Sequence, residues 1–237
     1  MLKTPGGRTS ISLSARTHKK QKDRKYARFQ DAPEALRGCS KPYGHLFQMA
    51  MNIVVYIHGQ GGSAAESEHY RTLLPDCEII GIDYQAHTPW DAEAELHDAV
   101  ADLKSHCDNI ILIANSIGAY YAMAAHLDQL VNVAFFISPV VDLEELNGVT
   151  LSDECLCYVR NHPIKWNVPT YILYGSDDHL IPFEAINDFA EEHNATLTVM
   201  DGGEHWFHTD EQMRFLDNWI KEKNIYDRFF MNRSSMV

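Results

Sequence analysis

A serine stands at the centre of the stretch whose residue types could do chemistry. Ser116 follows an aliphatic run at residues 110–113 and precedes an alanine-rich segment with helical spacing. An apolar run rich in β-branched residues is typical of a strand buried on both faces, and the alanine spacing favours a helix packed closely on it. The serine would therefore project from a strand-to-helix turn, near the positive end of the helix. Such a hydroxyl can act as a nucleophile when a base takes its proton.

Small residues flank this serine where a tight turn requires them. Ala114 and Gly118 lie two residues before and two residues after Ser116. Residues 114–118 thus match the nucleophile-elbow pattern G-x-S-x-G, with alanine in place of the first glycine. A serine in an ordinary strand–helix loop is the competing interpretation, and three further features favour the elbow.

Three further groups each follow another predicted strand. They are the segment His-Gly-Gln-Gly-Gly at residues 58–62, Asp178 and His205. Because reacting groups gather at the carboxyl ends of parallel strands, all three are expected near Ser116. In this arrangement Ser116 would be the nucleophile, His205 its base, and Asp178 the acid that orients the histidine.

The elements that must position these residues alternate between strands and helices. Six strands are predicted, at residues 52–57, 78–83, 110–114, 131–137, 170–174 and 196–200. Helices are predicted after the elbow and at residues 64–74, 90–106, 183–193 and 209–223, with short helices at 142–146 and 152–158. This alternation is typical of an α/β fold with a doubly wound, mostly parallel sheet and helices on both faces.

With these motifs in this order, the chain resembles compact bacterial cytosolic serine hydrolases of the α/β-hydrolase superfamily. The matching pieces are residues 58–62, residues 114–118, Gly175-x-x-Asp178-x-x-Ile181-Pro182 and Gly203-x-His205. The resemblance covers residues 51 to about 223, and the order serine, aspartate, histidine is the one this superfamily uses. It is specific for the fold and much less specific for the substrate.

The resemblance also implies an oxyanion hole. Its donors would be the backbone N–H groups of Gln60 and Ile117. The glycines around Gln60 would let the backbone approach the substrate closely, and the histidine is expected to support the turn rather than to catalyse. The supporting residues are His58, Gly59, Gly61 and Gly62.

Neighbouring residues compete for two of these roles. Asp177 and Asp142 are alternative acids, and His179 and His208 are alternative bases. The family pattern places the acid three residues after the glycine that follows the fifth strand, which selects Asp178 over its neighbour. The glycine-rich loop that precedes His205 favours His205 as the base.

The segment between the fourth and fifth strands often carries a specificity lid in this fold. Residues 139–168 supply only 30 residues here, so we expect a small cap and a substrate that is a small or soluble ester rather than a long lipid. Trp166 and Trp206 are candidates for lining the pocket, and packing inside the fold is the alternative for each.

Charge divides the chain into unlike parts. Residues 1–50 hold 11 of the 20 Lys and Arg residues but only 3 of the 33 Asp and Glu residues. Their basic composition and weak apolar periodicity predict a disordered extension, with Met51 as an alternative start of translation. A hydrolase domain is then expected at residues 51–225 and a flexible tail at residues 226–237.

The overall composition restricts the partners. A net charge of −13 argues against binding to nucleic acid or to anionic membranes. Five cysteines without disulfide-framework spacing are expected to be free thiols in the cytoplasm. No metal-ligand spacing and no phosphate-binding loop occur, so no metal and no cofactor are expected. The sequence leaves the oligomeric state open.

These observations predict a serine hydrolase that cleaves a carboxylic ester or thioester of a small acyl substrate through an acyl-enzyme intermediate. Two alternatives remain open at this point. One is an aminopeptidase-like amide hydrolase, and the other is a non-catalytic ligand-binding protein with the hydrolase fold.

Overall fold

A computed structural model describes residues 51–223 of the chain. The expectations for residues 1–50 and for the tail at 226–237 lie outside the described residues. The strands are β1 (Asn52–Ile57), β2 (Glu78–Ile82), β3 (Asn109–Asn115), β4 (Val133–Ile137), β5 (Thr170–Gly175) and β6 (Thr196–Met200). They form one six-stranded sheet in the order β2-β1-β3-β4-β5-β6, and every neighbouring pair is parallel. The predicted parallel sheet is confirmed.

Helices connect these strands, as a parallel sheet requires. They are α1 (Pro89–Lys104), α2 (Ile117–Ala124), α3 (Asp153–Asn161), α4 (Phe183–Glu192) and α5 (Asp210–Glu222), and 3₁₀ helices occupy Ala64–Thr72 and Leu127–Gln129. Thr209 caps α5 in a capping box with Gln212, the residue three positions on.

Helices cover both faces of the sheet. Helices α1, α2 and α4 pack with the cap on one face, whereas α5 and the 3₁₀ helix Ala64–Thr72 pack on the other. The central strands are consequently buried on both sides, and residues 110–114 of β3 are fully inaccessible to solvent. Because both sides of these strands are buried, their sequences are continuous aliphatic runs rather than alternating apolar and polar residues.

The cap differs from its predicted form. It contains α3 alone, because residues 142–146 form turns instead of a helix. The Asp142 carboxylate accepts the Glu144 N–H at 2.8 Å, a local side-chain bond that competes with helix formation. Helix α3 packs on α1 through the Tyr158 and Trp90 rings, whose centroids lie 5.1 Å apart.

Two other properties of the described residues bear on the composition. Cys77, Cys107, Cys155 and Cys157 are all free thiols. None of the helices between residues 51 and 223 combines the length and the apolar character that a membrane crossing requires.

Candidate active site

The site begins at the tight turn between β3 and α2. Ser116 has φ 52° and ψ −124°, a left-handed conformation that costs a non-glycine residue on the order of 1–3 kcal/mol. The turn can form because Gly118 lets α2 approach the end of β1. A Cβ atom on Gly118 would lie 2.5 Å from the carbonyl oxygen of His58. The serine hydroxyl thereby stands where β3 ends and α2 begins.

A continuous line of hydrogen bonds connects three buried side chains at this edge of the sheet. The Ser116 hydroxyl donates to Nε2 of His205 at 2.9 Å. The Nδ1–H group of the same ring donates to Oδ2 of Asp178 at 2.8 Å. All three residues are between 7% and 8% exposed. The histidine is thus placed and oriented to take a proton from the serine.

The acid is held by its own loop. The second carboxylate oxygen of Asp178, Oδ1, accepts the N–H groups of Leu180 at 2.9 Å and Ile181 at 3.1 Å. The Tyr174 hydroxyl donates to the Ile181 carbonyl at 2.7 Å, and burial raises the pKa of Tyr174 to about 12, so this donor keeps its proton. One oxygen of Asp178 therefore fixes the loop while the other faces the histidine.

The loops that carry the acid and the base are in direct contact. The Asp177 N–H donates to the Gly203 carbonyl at 2.8 Å, and a Cβ atom on Gly175 would lie 2.3 Å from that same carbonyl oxygen. This close approach, between the ends of β5 and β6, brings His205 opposite Asp178.

Two backbone N–H groups lie on the segments next to the serine, one in the turn after β1 and one at the start of α2. The Gly62 N–H donates to the Gly59 carbonyl at 3.1 Å, and Gly61 has φ +76°, which defines a type II turn with Gln60 at its second position. Ile117 is the first residue of α2, where the N–H has no intrahelical partner. In the described part of the chain, neither the Gln60 N–H nor the Ile117 N–H donates to a backbone acceptor. Both are free to bind an oxyanion.

His58 supports the turn. Its Nδ1–H group donates to the Gly59 carbonyl at 2.8 Å, and its ring stacks on Tyr84 with centroids 4.4 Å apart. The Tyr84 hydroxyl in turn donates to the His58 carbonyl at 2.9 Å. The sequence analysis did not identify Tyr84 as a support for this turn. Its position as an aromatic residue just after β2 was the only signal that could have indicated this role.

The alternative acids and bases do not reach the serine. The four residues are exposed: Asp142, Asp177, His179 and His208. Asp142 bonds within its own turn, and the Nδ1–H group of His208 donates to the Trp206 carbonyl at 2.7 Å. Among the candidates, the structure brings together only Ser116, Asp178 and His205.

The two tryptophans lie at different ends of the sheet. Trp206 is 68% exposed, and its ring centroid lies 5.7 Å from that of His205, so it forms the rim of the site. Trp166 is 1% exposed and donates its indole N–H to Thr170 at the start of β5. The prediction that Trp166 lines the pocket is wrong, because its ring packs in the core against Phe136.

Sequence comparison connects part of the chain with a known family. The model of the alpha/beta hydrolase family matches residues 54–162, a span that includes the glycine turn at residues 58–62 and Ser116 but ends before Asp178 and His205. No functionally curated protein sequence matches the chain.

Structural comparison covers more of the chain. An esterase from the planctomycete Thermogutta terrifontis, determined also with propionate and with butyrate bound, superimposes with a TM-score of 0.59 at 18% identity over 75% of this chain and 82% of its own. A serine hydrolase without a lid from Xanthomonas campestris superimposes with a TM-score of 0.59 at 15% identity over 77% and 84%. An alpha-beta serine hydrolase homologue from Coxiella burnetii gives 0.55 at 17% identity over 73% and 85%.

Proposed function

Because the chain belongs to the α/β-hydrolase superfamily, we propose that it is a serine hydrolase that cleaves carboxylic esters or thioesters of small acyl groups. The observation that carries this proposal is the hydrogen-bonded line Ser116–His205–Asp178 beside two free backbone N–H groups. A weak nucleophile, an oriented base and preplaced oxyanion donors are the three parts that acyl transfer to serine needs.

The first half of the reaction forms an acyl-enzyme. The Ser116 oxygen attacks the ester carbonyl carbon while Nε2 of His205 takes the hydroxyl proton. The carbonyl oxygen becomes an oxyanion that accepts the N–H groups of Gln60 and Ile117. When the tetrahedral intermediate collapses, the bond to the leaving group breaks and His205 returns the proton to the departing alcohol or thiol. Asp178 stabilises the imidazolium ion that exists between these two transfers.

The second half of the reaction releases the carboxylic acid product. A water molecule takes the place of the alcohol, His205 removes its proton, and the resulting hydroxide attacks the acyl carbon. The same two N–H groups bind the second oxyanion. Collapse of this intermediate returns the proton to the Ser116 oxygen and frees the carboxylic acid. The reaction therefore needs no co-substrate other than water.

Short acyl chains are the substrates that we propose. The cap contains one helix, α3, and the segment before it is held on the Asp178 loop. The backbone N–H of Asn147 donates to the Leu180 carbonyl at 2.9 Å, and its side-chain amide donates to the His179 carbonyl at 3.1 Å. A small cap leaves little apolar surface to bury a long chain. The planctomycete esterase of the same fold was determined with propionate and butyrate bound, which supports this size class. Trp206 lies beside His205, where the leaving alcohol would depart.

A fluorophosphonate probe tests the proposal. The probe phosphonylates activated serines, so we expect one adduct on the wild-type protein, mapped to Ser116 by peptide analysis and lost in Ser116→Ala. Hydrolysis of p-nitrophenyl acetate, propionate, butyrate, octanoate and palmitate then measures chain-length preference, and we expect kcat/KM to peak at four carbons or fewer. A folded wild-type protein that takes no label would favour the ligand-binding alternative. Faster turnover of aminoacyl p-nitroanilides than of any ester would favour the aminopeptidase-like one.

A further inference from the structure

A chain of polar contacts connects the two segments that carry the proposed oxyanion donors. The Tyr56 hydroxyl donates to Oε2 of Glu66 at 2.5 Å. The other oxygen of that carboxylate, Oε1, accepts the Ser63 N–H at 3.2 Å. The side chain of Asn115 lies close enough to the same tyrosine hydroxyl to lower its pKa as a polar partner. Catalysis as described above uses none of these four residues.

The two ends of this chain lie on the two segments that carry the oxyanion donors. Ser63 directly follows the type II turn that presents the Gln60 N–H. Asn115 directly precedes Ser116, and the residue after that serine presents the second N–H. The turn also lies close to the backbone before the serine, since a Cβ atom on Gly59 would lie 3.3 Å from the carbonyl oxygen of Asn115. The polar chain is therefore a second brace between the same two segments.

The tyrosine at the middle of the brace is a dedicated donor. Tyr56 is 2% exposed, and burial raises its pKa far above the ordinary value, so the hydroxyl keeps its proton. The hydroxyl donates a hydrogen bond to Glu66, and its oxygen has lone pairs left to accept from the amide of Asn115. A hydrogen bond to a carboxylate is among the stronger protein hydrogen bonds. Glu66 also lies in the first turn of the 3₁₀ helix Ala64–Thr72, in a capping box with Ser63.

We propose that Tyr56 and Glu66 are positioning residues, which hold the Gln60 and Ile117 N–H groups at the separation that the oxyanion requires. This inference rests on the proposed function. Donors that are already in place stabilise the transition state without reorganising. A brace that sets their spacing therefore acts on the transition state more than on substrate binding, and its loss lowers kcat more than it raises KM.

Steady-state kinetics of Tyr56→Phe and Glu66→Gln test the proposal on the full chain. Tyr56→Phe removes the hydroxyl but keeps the buried ring, and we expect kcat to fall by about 10-fold or more with KM changed by less than about 3-fold, short of the loss caused by removing a donor outright. Glu66→Gln keeps one acceptor oxygen and is expected to lose less activity than Glu66→Ala. Glu68→Gln is the matched control, because Glu68 lies in the same 3₁₀ helix but pairs with Arg71 on the surface.

Binding of a boronic acid transition-state analogue separates positioning from general stability. We expect its affinity for Tyr56→Phe to fall by the same factor as kcat/KM. If Tyr56→Phe does not fold, the Glu66 variants decide by the same measurements. A kcat within 2-fold of wild type in the folded variants, or a loss that follows the thermal unfolding temperature with no change in analogue affinity, would overturn the proposal. Wild-type labelling at Ser116 keeps that failure distinct from failure of the proposed function, which would abolish labelling and turnover in every variant.

Discussion

Two neighbouring strands are each followed by a serine with left-handed backbone, and only one of these serines hydrogen-bonds to a histidine. Ser116 after β3 has φ 52°, and Ser138 after β4 has φ 43°. Both are buried, and their segments exchange backbone hydrogen bonds, from the Ser116 N–H to Ile137 and from the Val140 N–H to Ser116, each at 3.0 Å. The Ser116 hydroxyl lies 2.9 Å from His205. The Ser138 hydroxyl has no hydrogen-bond partner among the described residues.

This difference separates backbone strain from activation. Strain and burial are shared by the two serines, so neither property selects the nucleophile. Ser116 additionally precedes a helix, whose first N–H is free, and faces an oriented histidine. Ser138 is followed by Pro139 and an irregular segment of the cap. We infer that the base and the free N–H groups, rather than the strained turn, make a serine reactive here.

Removing the nucleophile is expected to have the largest effect. Ser116→Ala deletes the attacking oxygen, and a comparable loss in another serine hydrolase lowers kcat about 10⁶-fold. Burst and steady-state hydrolysis of p-nitrophenyl acetate would measure this loss, with circular dichroism as the control for folding. A fluorophosphonate adduct on Ser138 would contradict the comparison directly.

Altering the acid is expected to have the next largest effect. Asp178→Asn keeps the side-chain shape but favours the wrong histidine tautomer, so kcat should fall about 10⁴-fold. Asp177→Asn is the adjacent control, since that carboxylate is exposed, and its kcat should stay within about 3-fold. Equal losses in the two variants, measured with the same ester, would mean that the acid has been assigned to the wrong residue.

The oxyanion turn allows one donor to be removed without changing a functional side chain. Gln60→Pro deletes the N–H, and proline is favoured at the second position of a type II turn. We expect kcat to fall about 10²–10³-fold, whereas Gln60→Ala, which keeps the N–H, should retain most activity. Similar kcat values for the two variants would show that this N–H does not bind the oxyanion.

The smallest effect is expected at the second serine. Ser138→Ala removes a buried hydroxyl that has no partner, so kcat should stay within about 2-fold. The free energy of unfolding should be unchanged or higher by up to about 1 kcal/mol. Urea denaturation measures the second quantity. A large loss of activity in a stable Ser138→Ala protein would reveal a role for this hydroxyl and would break the comparison.

Much of the site could be predicted because its signals are local. The small residues around Ser116 and the glycine turn at residues 58–62 each lie within five positions in the sequence. Local patterns were also sufficient for the bounds of β1 and β6. They failed at residues 142–146, where one carboxylate bonds to a nearby N–H instead of allowing a helix. They failed again at Trp166, since a tryptophan between two strands can pack inward or line a pocket equally well.

The sequence by itself determined the alternation of strands and helices, the elbow, and the order serine, aspartate, histidine along the chain, because hydrophobic periodicity and turn chemistry depend on neighbouring residues. Only the tertiary structure decided which candidates meet. Ser116 and His205 are 89 positions apart, and their hydrogen bond exists because the loops after β5 and β6 pack on each other beside the elbow. The choice between adjacent aspartates, the burial of Trp166 and the brace through Tyr56 depend on such long-range packing, which no local pattern encodes.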